Sequence, residues 1–383
     1  MKPLLSIVIA TKNREFYCIE AIKSILMIAN NTVEIAISDN SDTEQVKEFV
    51  AQLNDDRIIY RYDVSPISSI ENFNRCLGLA TGEYVCMIGD DDSILPNLLK
   101  VAQWAKDNDI DSVTSTHMID YIWPNINIES FKTGMLVLSD FKKTKEIVDA
   151  RENLNKLVRD GFLDYQTYKL PRIYHGLIKK SCMDEIKRLT ANYFGGLSPD
   201  IYSSVALSCI VKKHYVIGFP CTITGACASS TTVQAKTGEH SGSIESIPHL
   251  KNRGDYVWDK KVPMYYSVET IWAESGLKSL IDMNQAALYD KFYAYPLFAK
   301  GILINGRFIL KLVLNKTEQV RKQRKDNLIV FWALVSFFFG LEAIKLINYI
   351  VKTRIFKTKI RNRNVENIAD AVEIVNQKCP TFI

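Results

Sequence analysis

The first hundred residues alternate between two hydrophobic periods, and this restricts the fold more than any other feature of the chain. Leu4–Ala10 is a continuous, largely β-branched run, as expected of a strand covered on both faces. Glu15–Ile28 then places Phe16, Ile19, Ile22, Ile25 and Leu26 at helical spacing. Val33–Ile37 reads as a strand and Glu44–Leu53 as a helix through Val46, Phe49, Val50 and Leu53. Ile58–Tyr62 is a third strand, Ser69–Ala80 a helix ending near Gly82, and Tyr84–Ile88 a fourth strand. Short connections in a βαβαβαβ rhythm predict an α/β fold, a mostly parallel sheet flanked by helices.

In such sheets ligands collect beyond the carboxyl ends of the strands. Three polar clusters fall there: Thr11–Arg14, Asp39–Asp42 and Asp90–Asp92. The third has the strongest chemistry. Two unit charges about 4 Å apart interact by about 4 kcal/mol at an effective dielectric of 20, so three adjacent carboxylates call for solvation or a cation. Hard oxygen ligands suit Mg²⁺ or Mn²⁺ arriving with a phosphate-bearing substrate. Asp and Asn are also favoured caps and turn formers, so each cluster has a structural alternative. No GxGxxG or GxxxxGK[ST] loop is present, nor HExxH or GxSxG. Dinucleotide oxidoreductases, P-loop enzymes, zincins and serine hydrolases therefore have no support.

Beyond Asp111 the pattern loosens. Tyr168–Ile178 and Ser208–Ile217 read as strands, Ile201–Val211 as a helix-like segment, and the Ser-, Thr- and Gly-rich Ala226–Ser243 as a loop. The eight cysteines form no CxxC pair and several lie in apolar runs, which predicts buried free thiols in a reducing compartment. The first apolar run is too short for a signal peptide, so a cytosolic location is expected.

The net charge of +5 is unevenly spread: Lys300–Arg363 holds fifteen Lys/Arg against three Asp/Glu. Within it Asn327–Leu341 is fifteen uncharged residues, short of the roughly 20 that a spanning helix needs. It is bracketed by Arg321, Lys322, Arg324 and Lys325 before, and by Lys345, Lys352, Arg354, Lys357 and Lys359 after. An aromatic-rich apolar segment between cations predicts a helix in the membrane interface. The alternative is a hairpin packed on the body of the protein. No recognition motif points to nucleic acid.

SIVIATKNRE at 6–15, ISDNSD at 37–42, NRCLGLATGEYV at 74–85, GDDDSILP at 89–96 and SPD at 198–200 resemble the inverting glycosyltransferase family 2. Five elements in the right order and spacing, over roughly residues 1–240, carry the resemblance. It implies a GT-A type, Rossmann-like fold and a nucleotide-diphosphate sugar donor, a UDP-sugar by preference. It further implies that Ala10, Thr11 and Arg14 line the nucleotide pocket, Asp39 meets the base and Asp90 faces ribose or diphosphate. Asp91 would bind Mn²⁺ or Mg²⁺ with Asp92 in support, and Asp200 would be the general base. The family commonly has Asp where Gly89 stands, so the acids here are shifted to 90–92. A plain N-cap for the helix after Asp200 is the alternative for that residue, worth about 1 kcal/mol. His175 and His240 are candidate contacts to acceptor or diphosphate, or a core and a loop histidine. Tyr168, Arg172 and Tyr174 could clamp a sugar, or serve as ordinary strand residues.

The expected organisation is a catalytic domain over 1–250, its nucleotide half 1–110 and acceptor half 111–250. A helical extension over 251–326, basic and apolar membrane-associating helices over 327–365 and a tail over 366–383 follow. The expected function is metal-dependent sugar transfer to a glycan or polyprenyl-linked acceptor in bacterial surface polysaccharide synthesis, at the inner face of the cell membrane. A nucleotidyltransferase on a related sheet and a non-catalytic membrane-bound scaffold are the rivals.

Overall fold

The computed structural model describes residues 2–116, 119–124, 133–139, 141–230, 244, 248–254, 256–351 and 359–382. The expected alternation holds through the first hundred residues: β1 Leu5–Thr11, α1 Glu15–Leu26, β2 Val33–Asp39, α2 Gln45–Leu53, β3 Ile58–Tyr62, α3 Ser69–Leu79 and β4 Tyr84–Ile88. All of β2 and β4 is buried, which is why β4 reads as an unbroken apolar run; β2 carries Glu34 inside, where its carboxylate accepts from the hydroxyls of Ser6 (2.5 Å) and Thr81 (2.6 Å). Local chemistry sets the boundaries. The Ser68 side chain accepts from the Glu71 N–H to cap α3, and left-handed Asn54 closes α2. Short β5 (Ser93–Ile94) follows the acidic loop, and Pro96 opens α4 (Pro96–Asp107) at the position where its missing N–H is harmless.

Next come β6 Ser112–Ser115, β7 Ile119–Ile122, β8 Met135–Ser139, β9 Lys145–Ile147, α5 Ala150–Arg159, β10 Gly176–Lys179, α6 Lys180–Thr190, α7 Pro199–Ile210, β11 His214–Ile217 and β12 Thr222–Ala226. The main sheet has the order β3-β2-β1-β4-β10-β6-β11-β9. β10 runs antiparallel to both β4 and β6, and β9 antiparallel to β11; the other adjacent pairs are parallel. One face of the sheet is covered by α1 and α4, the other by α3, α6 and α7.

Two expected strands are shorter than their apolar runs. Of Tyr168–Ile178 only Gly176–Ile178 belongs to a strand, β10, because a 3-10 turn fills Tyr165–Tyr168, Pro171 interrupts the run and His175 is left-handed (φ +58°). Of Ser208–Ile217 only His214–Ile217 is extended, since α7 continues to Ile210.

The C-terminal third is helical: α8 Val268–Asp282, α9 Ala286–Tyr289, α10 Tyr295–Arg324 and α11 Leu328–Ile350. Helices α10 and α11 pack on α5, α7 and α8 through Phe162, Tyr295, Phe298, Phe331 and Val335. α11 is longer than its uncharged run because Glu342, buried, pairs with Lys345 (2.5 Å) one turn on. Leu328–Asn348 is thus long and apolar enough to cross a membrane. β13 (Lys359–Arg363) then pairs antiparallel with β8 in a second sheet, β13-β8-β7-β12-β5. α12 (Ile368–Lys378) lies on α1, and Phe382 enters the core between Trp104 and Phe219. The final residues are built into the body. All eight cysteines are free, and five of them are buried, as expected.

Candidate active site

The carboxyl ends of β1, β2 and β4 meet at one edge of the sheet, because Thr11 is in register with Asp39 and Ile9 with Ile88. Thr11 Oγ1 donates to Asp90 Oδ2 (2.7 Å) and its carbonyl accepts from Asn72 Nδ2 (3.1 Å). Asp39 accepts from Tyr60 Oη (2.7 Å) and from the Ser41 N–H (2.8 Å). Asn13, left-handed, exchanges hydrogen bonds with Ser41 and Asp42, which fixes the loop after β1 to the loop after β2. The structure therefore brings Ala10, Thr11, Arg14, Asp39 and Asp90–Asp92 together at one end of the strands.

The three aspartates are all buried but have different duties. Asp92 is spent on architecture: its two oxygens accept from the Gly89 N–H and, at 2.7 Å, from the Gly225 N–H. Asp91 Oδ2 accepts from the Cys227 N–H (3.1 Å), while Trp123 Nε1 donates to the Asp91 carbonyl (3.0 Å). Arg14 divides its fork, NH1 meeting Asp90 Oδ1 at 2.8 Å and NH2 meeting Asp91 Oδ2 at 2.7 Å. Burial raises the Asp90 carboxyl to about 7, Arg14 opposing and Asp91 reinforcing. Burial and Asp92 raise Asp91 as well. For Arg14 burial disfavours the charge, but Asp90 and Asp91 outweigh it and hold the guanidinium firmly ionised.

Glycines let this loop close. A Cβ on Gly225 would lie 1.8 Å from the Asp91 carbonyl oxygen, and one on Gly89 would lie 2.7 Å from Tyr174 Oη. The tyrosine hydroxyl thus fills the space beside Gly89.

Asp200 stands on another wall of the site. The helix N-cap is Ser198 and Pro199 is the first residue of α7, so Asp200 lies inside the first turn and is not the cap. Among the described residues its carboxylate receives no hydrogen bond. Burial lifts it to about 6, with His175 and Arg172 pulling down and Asp92 pushing up. Its loop is anchored by Ser275 Oγ, which accepts from the Leu197 and Ser198 N–H groups (3.0 and 2.8 Å).

His175 joins the two walls. Its Nδ1 lies 3.0 Å from Thr222 Oγ1, and its Nε2 lies 3.2 Å from Asp92 Oδ2, outside hydrogen-bond alignment. Buried Arg172 gives NH2 to the Ser115 carbonyl (3.1 Å), and burial lowers its affinity for its proton. Tyr168 is elsewhere, its hydroxyl donating to Asp160. His240 lies outside the described residues.

Asp91 Oδ1 is the one oxygen of the trio with neither a hydrogen bond nor an ion pair among the described residues. No three His, Cys, Asp or Glu side chains among them converge as a ready-made metal shell. The residues thus fit a cation that takes Asp91 and completes its shell from phosphate and water, a common Mg²⁺ arrangement. Sequence reasoning missed Tyr60, Gly225 and Cys227. Each reaches the site through pairing with distant segments and has no local signature.

Residues 6–150 match the model of the family described as Glycosyl transferase family 2. The chain is 40% identical over 101 residues to the putative colanic acid biosynthesis glycosyl transferase WcaA of Escherichia coli, covering 26% of this chain and 36% of that one. It is 36% identical over 103 residues to the GalNAc(5)-diNAcBac-PP-undecaprenol beta-1,3-glucosyltransferase of Campylobacter jejuni (25% and 32% covered). It is 32% identical over 113 residues to the abequosyltransferase RfbV of Salmonella typhimurium (28% and 34%). The chain spans about a third of the length of these curated relatives. The crystal structure of S. aureus TarS 1-349 in complex with UDP-GlcNAc shares the fold, with a TM-score of 0.50 and 14% identity over 84% of this chain and 79% of that one.

Proposed function

We propose, from the premise that residues 6–150 form a family 2 glycosyltransferase domain, that this chain transfers a sugar with inversion from a nucleotide-diphosphate donor. A UDP-sugar is the preferred donor, and the acceptor is a hydroxyl of a glycan or polyprenyl-linked glycan in surface polysaccharide synthesis. The relatives' names support the acceptor class, and the solved structure with UDP-GlcNAc supports the donor class. The observation that carries the reading is Asp200: a carboxylate with no hydrogen bond among the described residues, raised to about 6 and sensing Asp92 of the acidic loop.

In this reading the walls divide the work. Thr11, Asp39 and Asp90 orient the nucleotide at the sheet edge. Asp200 removes the proton of the acceptor hydroxyl, whose oxygen attacks the anomeric carbon as the bond to the diphosphate breaks on the opposite side. A positioned base of this kind contributes about 10²–10⁴-fold. A divalent cation held by Asp91, when bound, stabilises the charge on the departing diphosphate. Asp92 keeps the loop in shape, and Arg172 holds positive charge beside the base.

The test is a mass-spectrometric screen of nucleotide-sugars with Mn²⁺, with and without EDTA. Asp91→Ala is expected to reduce transfer by at least about 10²-fold, comparable to loss of an electrostatic catalytic group. Undiminished transfer by that variant would remove the metal assignment. Release of pyrophosphate instead of a nucleoside diphosphate would point to nucleotidyl transfer. No melting shift with any nucleotide plus metal would favour the scaffold.

The proposal places the protein peripherally on the inner face of the cell membrane. Helix α11 turns Phe331, Val335 and Glu342 to the body, where Lys300 reaches both Asp164 (2.5 Å) and Glu342 (3.9 Å). On its outer side Ile329 is 82% exposed and Phe337 59%, with Ile344 and Ile347 beside them. A helix tied to the protein by a buried carboxylate and presenting apolar residues outward is suited to lie in the interface plane. Each exposed basic residue nearby adds about 1 kcal/mol toward an anionic leaflet. Changing Ile329, Phe337, Ile344 and Ile347 together to Ser is expected to abolish co-sedimentation with phosphatidylglycerol-containing vesicles. The melting temperature should hold, because these side chains are already in solvent. Undiminished sedimentation would place the anchor elsewhere.

A further inference from the structure

The position between Asp90 and Asp91 is held by the protein's own cation. A guanidinium ordinarily grips one carboxylate with both arms; Arg14 gives one arm to each acid, at 2.8 and 2.7 Å. Its grip is incomplete elsewhere. Nε is buried without a partner among the described residues, and NH2 spends its remaining reach on Cys227 Sγ at 2.8 Å. Arg14 precedes the first turn of α1, and its side chain is 22% exposed, so it has an outward path. Beside the acids, His175 is only 6% exposed, and its Nε2, without a hydrogen bond among the described residues, lies 3.2 Å from Asp92 Oδ2 of the loop. The acidic site therefore contains an unmet polar group as well as a provisional counterion.

We propose that Arg14 is a built-in competitor for the divalent cation, occupying the Asp90–Asp91 pair until a cation carried by a diphosphate displaces it. The inference rests on the proposed function only in taking Asp91 as the cation's ligand. Asp91 Oδ2, now given to Arg14, becomes a ligand oxygen only when the guanidinium leaves. Two cations sharing one pair of carboxylates at hydrogen-bond distance repel each other. The free protein then binds divalent cations poorly, and the released guanidinium is positioned to meet the incoming phosphates, which suit its fork.

The experiment is a Mn²⁺ titration of the full chain without nucleotide, free Mn²⁺ being read by electron paramagnetic resonance. Wild type is expected to bind with a Kd of about 1 mM or weaker, since a site of this type relies on substrate phosphates for its shell. Arg14→Gln, which removes the competing charge, should bind at least about tenfold tighter. Arg14→Lys, which keeps a charge, should stay within about threefold of wild type, separating charge competition from altered shape. Circular dichroism and the melting temperature establish that each variant is folded. Equal or weaker Mn²⁺ binding by folded Arg14→Gln overturns the proposal, because Arg14 would then be only a brace for the acids. Wild-type binding in the micromolar range without nucleotide overturns it too, and needs no variant. Sugar transfer is measured separately, so a transferase that works in EDTA would keep its function while losing this device.

Discussion

Asp200→Asn is expected to lower sugar transfer by about 10²–10⁴-fold, the usual contribution of a positioned base, while nucleotide binding changes little. The two effects separate because the residue lies on α7, whereas the groups proposed to face the nucleotide lie at the ends of β1, β2 and β4. A general base must be ionised, so wild-type kcat/KM should rise with pH and level off above about 6, where Asp200 titrates. The same shift has a stability consequence of unusual sign. The carboxyl is raised from 3.8 to about 6 in the folded chain, so the folded state holds this proton more tightly than the unfolded one. Below 3.8 both states are protonated and the residue is neutral to stability. Stability then falls as pH climbs between those values, and above about 6 the full cost is present. Two pH units correspond to about 3 kcal/mol, and partial exposure reduces that to roughly 1–3 kcal/mol. Asparagine never ionises, so the variant should melt a few degrees higher than wild type at pH 7.5, the gap closing toward pH 4. A variant that is inactive and also less stable at pH 7.5 would mean that Asp200 serves the fold. Full activity in the variant would end its assignment as base.

The parts of this fold legible in the sequence are those fixed by short-range periodicity. Tyr84–Ile88, and Leu4–Ala10 apart from Ser6, are apolar because helices cover both faces of the sheet there, and that burial pattern needs no knowledge of partners. Topology alone puts the clusters after β1, β2 and β4 at one edge, and the structure brings them within hydrogen-bond reach of each other. Non-local pairing was not legible. YKLPRIYHGLI has strand composition, but its backbone is bent by Pro171 and by left-handed His175, which enters the site because of that bend. Gly225 and Cys227 serve Asp92 and Asp91 from β12 and the residue after it, more than 130 positions downstream. Charge patterning marks the basic end but carries no sign of how that end packs. The residues after the apolar helix return to the α/β body, where Ile368, Ala371, Val372 and Val375 form a buried helix face.

That return makes the C-terminus a structural strap, and Phe382→Ala should cost about 3–5 kcal/mol, the usual range for emptying a buried aromatic site. The Phe382 ring lies edge-on to Trp104 and Phe219, at centroid distances of 5.3 and 5.0 Å, with Lys145 Nζ 4.2 Å from its centroid. Its N–H donates to Asn97 Oδ1 (2.8 Å), and Asn97 Nδ2 returns a bond to the Pro380 carbonyl (3.0 Å), so α4 and the last residues are mutually satisfied. Upstream, Ile368, Ala371, Val372 and Val375 bury against Leu95, Tyr121, Trp123 and Leu136, and β13 completes the edge of the second sheet. Ending the chain before Lys359 strips all of these at once. It would uncover Trp123, whose indole N–H holds the Asp91 carbonyl. A deletion of residues 320–383 therefore cannot separate membrane attachment from donor binding, and point changes on the outer face of α11 are the cleaner probe. Guanidinium unfolding of Phe382→Ala should show a midpoint lowered with little change in slope. The chain lacking residues 359–383 should lose its cooperative transition or its solubility. An unchanged midpoint for Phe382→Ala, with donor binding preserved in the shortened chain, would show that the strap only rests on the domain.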